Sequence, residues 1–413
     1  MLRSMYSGVS GLRLHQTRMD VIGNNIANVN TTAFKSSRVT FQEVFSQTLK
    51  PASSPAEGGG RGGTNPFQVG LGISIASIDS LHMNGGVQRT DKATDLAIEG
   101  DGFFAVSDGS SMYYTRDGNF DLDLNGNLVT AGGLKLMGWL YDPAAQSVVT
   151  SGEPTEINLA NMVLPPKATT SITFEGNLSD RLNIGDSLPY TVSVYDAKGA
   201  EHKLTYTFTK AANNMWNYTV AAPAGMVISG GMSGVLSFNQ DGSLIPMAAP
   251  PLTVIAADSS IPPITINVEF NQDKFTQYDE GESTVKAALV DGYRAGVLNG
   301  INIDSNGNVV GIYSNGQFHV EAALAIAKFT NPGGLERMGG NLFRTSTNSG
   351  IPELGIAGED GRGTINPGAL EMSNVDLARE FTDMITTQRG FQASSRIITT
   401  SDEMLQELVN LKR

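Results

Sequence analysis

Two acidic segments have the spacing of the first half of a calcium-binding loop: residues 121–126 (DLDLNG) and residues 302–307 (NIDSNG). Oxygen ligands at alternate positions suit Ca²⁺, but such a loop also needs a bidentate glutamate at its twelfth position. That position holds Gly132 in the first segment and Tyr313 in the second. We therefore predict that both segments are hairpin turns and that neither holds a metal.

Residues 185–188 (GDSL) match a motif in which a serine attacks an ester. Such a serine needs a histidine base, which the motif-bearing esterases supply from a D-x-x-H segment further along the chain. The D-x-x-H segment here ends at His82, upstream of Ser187, and neither His202 nor His319 follows an acid at that spacing. The chain also has no cysteine, which excludes thiol catalysis and disulfides. We predict no catalytic residue and no cofactor: the chain is not an enzyme.

The formal net charge of −13 is unevenly distributed. Residues 1–40 carry five basic residues and one acid, and residues 371–413 carry five basic residues and seven acids, which leaves the middle at −15. A middle this acidic repels phosphate backbones, so we expect no nucleic-acid partner. No apolar run approaches the ~18 residues that cross a bilayer, and the N-terminus lacks the layout of a cleaved signal. We expect no membrane insertion.

Both ends of the chain have the periodicity of long helices with a narrow apolar stripe. At the N-terminus the stripe consists of Leu2, Met5, Val9, Leu12, Met19 and Ile26. At the C-terminus it consists of Leu377, Phe381, Met384, Phe391, Ile398, Leu405 and Val409. A 3.5-residue spacing is typical of a coiled-coil seam, so we predict that residues 1–30 and 371–413 pair as a terminal coiled-coil domain whose stripes form an assembly seam.

Small residues weaken the N-terminal helix: Ser4, Ser7, Gly8, Ser10, Gly11 and Gly23 all lower its helix propensity. A weak backbone with a narrow seam is marginal in isolation. We therefore expect the ends to be ordered by packing on neighbouring copies. The alternative is an intramolecular helical hairpin that closes an ordinary domain.

Between the helical ends the pattern is β, so the predicted fold class is mainly β with terminal α-helices and two nested antiparallel β domains. Alternating apolar residues begin near Gly70, and seven Asn-Gly or Asp-Gly pairs predict hairpins: those at 84–85, 108–109, 117–118, 125–126, 241–242, 306–307 and 315–316. The predicted divisions are an extended linker at 31–70 with a glycine-rich run at 58–63, a split inner β domain at 71–145 and 285–370, and an inserted outer β domain at 146–284.

Several segments resemble one protein family. The segment 24–35 (NNIANVNTTAFK), with Asn24, Asn25, Asn28, Asn30 and Phe34, is similar to the shared N-terminal motif of bacterial flagellar rod, hook and hook-junction proteins. Further similar segments are 99–104 (EGDGFF), 114–120 (YTRDGNF), 311–317 (GIYSNGQ), 329–335 (FTNPGGL), 373–378 (SNVDLA) and 388–393 (QRGFQA). Rod members lack a large middle insertion, so the block at 146–284 favours the hook members. Distal rod and hook–filament junction proteins are the alternatives.

The resemblance implies a structural subunit that polymerises with itself into a curved, flexible tube, a universal joint that transmits torque from rod to filament. It implies a location in the flagellum, outside the cell after type III export. It also implies partners: the rod protein, the hook cap, the hook–filament junction proteins and the export apparatus. An adhesin-like β protein would account for the hairpins and the acidity, but it has no use for a seam at both ends.

Overall fold

The computed structural model describes residues 2–54, 62–160, 162–223, 225–247, 249–256, 262–279 and 281–411. Within them the chain has one long helix at each end. Helix α1 spans Leu2–Ala27 and helix α2 spans Leu377–Leu411. Asp376 precedes α2, and its Oδ1 accepts the N–H of Ala378 at 2.9 Å and that of Arg379 at 3.3 Å. A carboxylate in this position satisfies free helix N–H groups and favours the start of the helix.

Strands occupy most of the chain between the helices. The first group, which lies before residue 160, is β1 Ser37–Glu43, β2 Ser46–Lys50, β3 Phe67–Gly70, β4 Ile73–Ser80, β5 Val87–Arg89, β6 Leu96–Glu99, β7 Phe103–Ser107, β8 Met112–Thr115, β9 Phe120–Leu122, β10 Leu128–Thr130, β11 Lys135–Asp142, β12 Ser147–Val148 and β13 Thr155–Glu156.

The second group is β14 Val163–Leu164, β15 Ser171–Asn177, β16 Ser187–Tyr195, β17 Glu201–Ala212, β18 Met215–Ala221, β19 Met226–Gly230, β20 Ser233–Ser237, β21 Leu252–Ala256, β22 Ile264–Thr276, β23 Lys286–Val290 and β24 Gly296–Ile303. The third group is β25 Asn308–Tyr313, β26 Phe318–Leu324, β27 Ile326–Lys328, β28 Glu336–Gly339, β29 Leu342–Arg344, β30 Glu353–Gly355, β31 Thr364–Pro367 and β32 Ala369–Glu371.

The chain divides into two compact units. The first contains residues 1–160, 301–310 and 320–413, and therefore holds both helices. Its β core lies where β7, β8 and β11 pack with the strands that follow residue 320, around Phe103, Trp139 and Phe329. The ring centroids of Phe103 and Phe329 are 5.7 Å apart in an edge-to-face contact, the geometry that aromatic side chains favour.

The second unit contains residues 161–300 and 311–319. One sheet has the order β16-β17-β18-β20, and the other has the order β19-β21-β22-β15-β23. Alternate residues of both sheets are buried and share one apolar core, in which Phe174 of the second sheet contacts Tyr206 of the first at 4.8 Å between ring centroids. The alternation follows from the two-residue repeat of strands, so the pattern in the sequence marks the buried face.

Three expectations differ from the structure. The inserted block is not wholly antiparallel, because β15 runs parallel to β22. Residues 31–70, expected to be an extended linker, contain three strands: β1 pairs with β4, and β2 pairs with β3. Strand partners distant along the chain leave no periodic signal in a short segment, which accounts for both differences. Most of the glycine-rich run at 58–63 lies outside the described residues.

The third difference concerns the turns. Five of the predicted Asn-Gly and Asp-Gly turns join adjacent antiparallel segments, but the pairs at 84–85 and 117–118 do not. At Gly85 and Gly118 an added Cβ would collide with a backbone carbonyl, that of Met372 and that of Leu96, respectively. These glycines therefore permit close backbone approach rather than a hairpin. The coarse prediction of a mainly β chain with a helix at each end is confirmed. No described helix is both long and apolar enough to cross a membrane.

Candidate assembly interface at the chain ends

Helices α1 and α2 lie side by side and contact each other along a line of mostly small or polar residues. On α1 this line, which we call the small-residue seam, consists of Ser4, Gly8, Gly11, His15, Arg18, Ile22 and Asn25; on α2 it consists of Glu380, Asp383, Thr387, Gly390, Ser394, Ile398 and Ser401. The positions recur every three or four residues, as helix pairing requires.

Glycines let the two backbones approach closely. A Cβ added at Gly8 would lie 3.1 Å from Ile398 Cγ1, and one added at Gly390 would lie 2.6 Å from the imidazole Cε1 of His15. Between these contacts, an added Cβ at Gly11 would lie 2.9 Å from the hydroxyl oxygen of Ser394. The glycines that weaken α1 as an isolated helix are therefore the residues that fit it against α2.

Polar pairs fix the alignment of the seam. The hydroxyl oxygens of Ser4 and Ser401 lie 3.3 Å apart near one end. Arg18 Nη2 donates to Asp383 Oδ1 at 3.0 Å. At the other end, Asn25 Nδ2 donates to Glu380 Oε1 at 3.1 Å, and partial burial raises the pKa of that carboxyl group above its ordinary value. These contacts set which residues face each other.

The predicted apolar stripes lie largely outside this seam. Of the predicted residues, Ile398 contacts the facing helix at Gly8. The most exposed predicted residues are Val9, Leu377, Phe381 and Val409, and the partly buried ones are Met5, Leu12, Met19, Ile26, Met384, Phe391 and Leu405. Leu2 is helical, but its side chain lies outside the described part. Phe381 is 50% exposed and Val409 is 69% exposed, an amount of uncovered apolar surface that marks a candidate interface.

Sequence reasoning missed the small-residue seam because it searched for apolar repeats. The signal that could have found it is the recurrence of Gly and Ser at heptad spacing, at Ser4, Gly8, Gly11 and again at Gly390 and Ser394. Two large apolar residues of α1, Leu14 and Ile22, are buried. The described residues of the predicted stripes are partly buried or exposed, so the helix pair leaves part of its apolar surface uncovered.

The asparagine-rich motif caps α1 and turns the chain into β1. Asn25 is buried, and its side chain both accepts the N–H of Ser37 and donates to the carbonyl oxygen of Ser37, each at 2.9 Å. Asn28 Nδ2 donates to the carbonyl oxygen of Asn24 at 2.9 Å, which satisfies an end group of the helix. Phe34 is buried beneath the guanidinium of Arg337, at 5.5 Å from the ring centroid. Asn30 is exposed.

A buried charged cluster lies directly after this motif. Lys35 Nζ donates to Glu371 Oε1 at 2.6 Å, and their side chains are 0% and 1% exposed. Arg116 approaches the second carboxylate oxygen, with Nη1 3.7 Å from Glu371 Oε2. Burial lowers the pKa of Lys35, and the carboxylate of Glu371 opposes that effect. Local sequence patterns do not reveal this cluster, because its members are distant along the chain and each alone is typical of a surface residue.

His82 lies beside the cluster and should make the first unit sensitive to acid. Burial, and then the positive charges of Lys35, Arg337 and Arg116, lower its pKa to about 4. As pH falls through 6.5, the ordinary value, the unfolded chain takes up a proton that the folded chain rejects until about pH 4. Stability is therefore complete above this window and is lost as pH falls, by about 2 kcal/mol between pH 7 and pH 5.

The measurement is urea unfolding at both pH values. Trp139 lies in the first unit and Trp216 in the second, so a Trp216→Phe background makes fluorescence report the first unit. His82→Phe should reduce the pH dependence, whereas the control His319→Gln should leave it intact. An unchanged pH dependence in His82→Phe would contradict the assignment.

The motifs that suggested chemistry have structural roles. Asp123 Oδ1 accepts the N–H of Asn127 at 2.7 Å, and Asp304 Oδ1 accepts the N–H of Asn308 at 2.8 Å, so both segments are hairpin turns held by their own aspartate. Ser187 begins strand β16, while His202 Nε2 lies 3.1 Å from Asp196 Oδ2. Among the described residues, no three His, Asp or Glu side chains are grouped as metal ligands.

Four protein-family profiles match the chain in order. They are the flagella basal body rod protein at residues 5–35, the flagellar hook protein FlgE/F/G D1 domain at 97–179, the flagellar basal body protein FlaE D2 domain at 187–293, and the flagellar basal body rod FlgEFG protein C-terminal at 366–411. The first and last matches include the asparagine-rich motif and helix α2, so the candidate interface lies in the segments that the family shares.

Full-length relatives agree with these matches. The chain is 41% identical over 454 aligned residues to the flagellar hook protein FlgE of Borreliella burgdorferi, with 100% of both chains covered. It is 38% identical to the hook protein FlgE of Treponema pallidum, again over 100% of both. It is also 34% identical over 100% of both chains to the flagellar basal-body rod protein FlgG of Bacillus subtilis. A long middle insertion alone therefore does not distinguish hook proteins from rod proteins. These identities over the full length show that the chain belongs to the family of bacterial flagellar hook proteins.

Proposed function

We propose that this chain is the structural subunit of a bacterial flagellar hook, a curved and flexible tube that acts as a universal joint between rod and filament. The observation that carries the proposal is the exposed apolar surface at both chain ends, at Val9, Leu377, Phe381 and Val409, on helices that already contact each other along the small-residue seam. Full-length similarity to hook proteins supports the same function and a location in the flagellum.

We propose that the assembly seam is the surface through which single chains join to form the tube. The helix pair uses its small-residue seam internally, so the exposed parts of the apolar stripes can pack as a coiled coil on helices of neighbouring copies. Covering one such side chain contributes ~1.5–3 kcal/mol, which can offset the cost of ordering a marginal helix pair. The proposed seam consists of Leu2, Met5, Val9, Leu12, Met19, Ile26, Leu377, Phe381, Met384, Phe391, Ile398, Leu405 and Val409.

The remaining assignments follow from membership of the family. The chain polymerises with copies of itself and associates with other flagellar components, and we propose the rod protein, the hook cap, the hook–filament junction proteins and the type III export apparatus as specific partners. We propose that it has no enzymatic activity. The domain division into 1–30 with 371–413, 71–145 with 285–370, and an inserted 146–284 remains our proposal for how the subunit is organised within the tube.

Phe381→Glu is the direct test of the seam. A carboxylate at a position that becomes covered would be desolvated without a partner, so we expect a folded monomer that forms no tubes. Electron microscopy and sedimentation of the purified protein under assembly conditions measure this. The matched control is Leu124→Glu, which changes a fully exposed leucine in the turn between β9 and β10 and should assemble normally. Tubes of wild-type yield from Phe381→Glu would contradict the proposed seam.

A distal rod subunit is the second candidate, because the rod protein of Bacillus subtilis aligns over the full length of both chains. The same electron micrographs separate the two functions. A hook subunit should give curved tubes that change curvature, and a rod subunit should give straight ones.

A further inference from the structure

Residues 31–37, which link α1 to the first strand, are held by residues from the opposite end of the chain. The N–H of Ala33 donates to the carbonyl oxygen of Glu371 at 2.8 Å. The N–H of Ser36 donates to Asn374 Oδ1 at 2.8 Å, across a sequence separation of 338 residues. Arg337 Nη2 also donates to the carbonyl oxygen of Lys35. Local bonds also hold the segment, from Asn25 to Ser37 and from the N–H of Phe34 to the carbonyl oxygen of Thr31. Backbone groups of Ala33, Lys35 and Ser36 are nevertheless bonded by residues 337–374, so the conformation of the segment depends in part on the C-terminal part.

Lys35 makes this dependence strict. Its ammonium group is fully buried and donates to Glu371 Oε1 at 2.6 Å and to the carbonyl oxygen of Met83 at 2.8 Å. A buried charge is tolerated when it is paired and hydrogen-bonded, and removing one partner leaves the other uncompensated. Lys35 therefore cannot occupy its buried position at low cost until Glu371 has arrived.

The C-terminal residues are in turn fixed on their other side. Strand β32 pairs with β5, and Glu371 Oε1 also accepts the N–H of Gly85 at 2.8 Å. Asn374 Nδ2 donates to the carbonyl oxygen of Leu81 at 2.8 Å. Residues 369–374 thus contact both the 31–37 segment and the 81–87 segment, which also contact each other where the N–H of Leu81 donates to the carbonyl oxygen of Ser36 at 2.9 Å.

We propose that residues 369–374, which we call the latch, hold residues 31–37 of the N-terminal motif in their folded position. The 31–37 segment takes its folded position, and anchors the C-terminal end of α1, in the same step in which Glu371 closes on Lys35. An incomplete chain therefore keeps its N-terminal motif unlatched, and a subunit becomes competent for assembly when its C-terminal part is present. This folding order is a property of the single chain and does not depend on the proposed hook function.

Refolding of the full-length monomer tests the order directly. Pulsed amide hydrogen exchange with mass spectrometry follows peptides from 31–37 and from 369–374, with strands β17 and β18 of the second unit as an internal reference. We expect the first two sets of amides to gain protection with the same rate constant. Protection of 31–37 in an earlier phase than 369–374 would overturn the proposal.

Native-state exchange of two variants tests the contact. Glu371→Gln removes the counter-charge of Lys35 and should speed exchange at 31–37 by at least about 100-fold, while β17 and β18 keep wild-type protection. The control Glu336→Gln breaks an exposed pair with Arg344 and should change nothing. Asn374→Ala keeps the ion pair and should give a smaller acceleration confined to the same segment. Wild-type exchange in Glu371→Gln, or equal acceleration in β7 and β11, would refute the latch.

Discussion

A chain that ends at Asn374 is expected to keep its folded β units and to form no tubes. The deletion removes α2, which provides 35 helical residues against 26 in α1, and with it one side of the small-residue seam. It also removes the apolar stripe that begins at Leu377. Because α1 buries few large side chains of its own, it should lose much of its helicity as well.

Circular dichroism and electron microscopy measure the two parts of this prediction. The helical part of the signal at 222 nm should fall by more than half. The amount of polymer that sediments should fall to background. The position of the cut matters, because Glu371 and Asn374 contact Lys35 and Ser36, and a shorter chain would expose Lys35. The fluorescence of Trp139 and Trp216 should remain that of buried indoles. Polymer formation by the shortened chain would eliminate the seam as the basis of assembly.

Gly390→Leu is expected to destabilise the pairing of α1 with α2. A side chain at this position would meet the ring of His15, and the larger leucine would force the two backbones apart, at a cost of about 1–3 kcal/mol. Replacing glycine within a helix gains up to about 1 kcal/mol in propensity, so the net change should still be destabilising. Loss of the close approach should also misplace both apolar stripes and reduce assembly.

Gly23→Leu is the matched control, since an added Cβ there meets nothing within 4 Å and the substitution brings only the gain in propensity. Thermal melting of the monomer, followed at 222 nm from low temperature, should therefore shift in opposite directions for the two variants. If Gly390→Leu melted at or above the wild-type temperature, the small-residue seam would not be what joins α1 to α2.

Local sequence signals predicted the features that local physics determines. A helix at each end of the chain was predicted, because the periodicity that indicates a helix is local to the segment that forms it. The turns at Asp123 and Asp304 formed as expected, because each aspartate bonds to the backbone of its own turn.

Features that depend on distant partners could not be predicted. Nothing near Lys35 indicates that its ammonium group is fully buried, since its partner Glu371 follows 336 residues later. The inner seam of the helix pair was missed for a different reason. Apolar periodicity points to where large side chains collect, whereas several positions at which α1 meets α2 are glycine or serine, which an apolar pattern treats as gaps.

The small-residue seam has a mechanical consequence for a tube that bends. Large side chains inserted into pockets resist axial motion, because each must be withdrawn before a helix can move past its neighbour. Where this seam consists of glycine and serine, small side chains leave little to withdraw, and polar pairs such as Arg18 with Asp383 and Asn25 with Glu380 help to set the lengthwise position. Such pairs can exchange with water and re-form, so one helix can shift lengthwise against the other by a small distance and return to its original position.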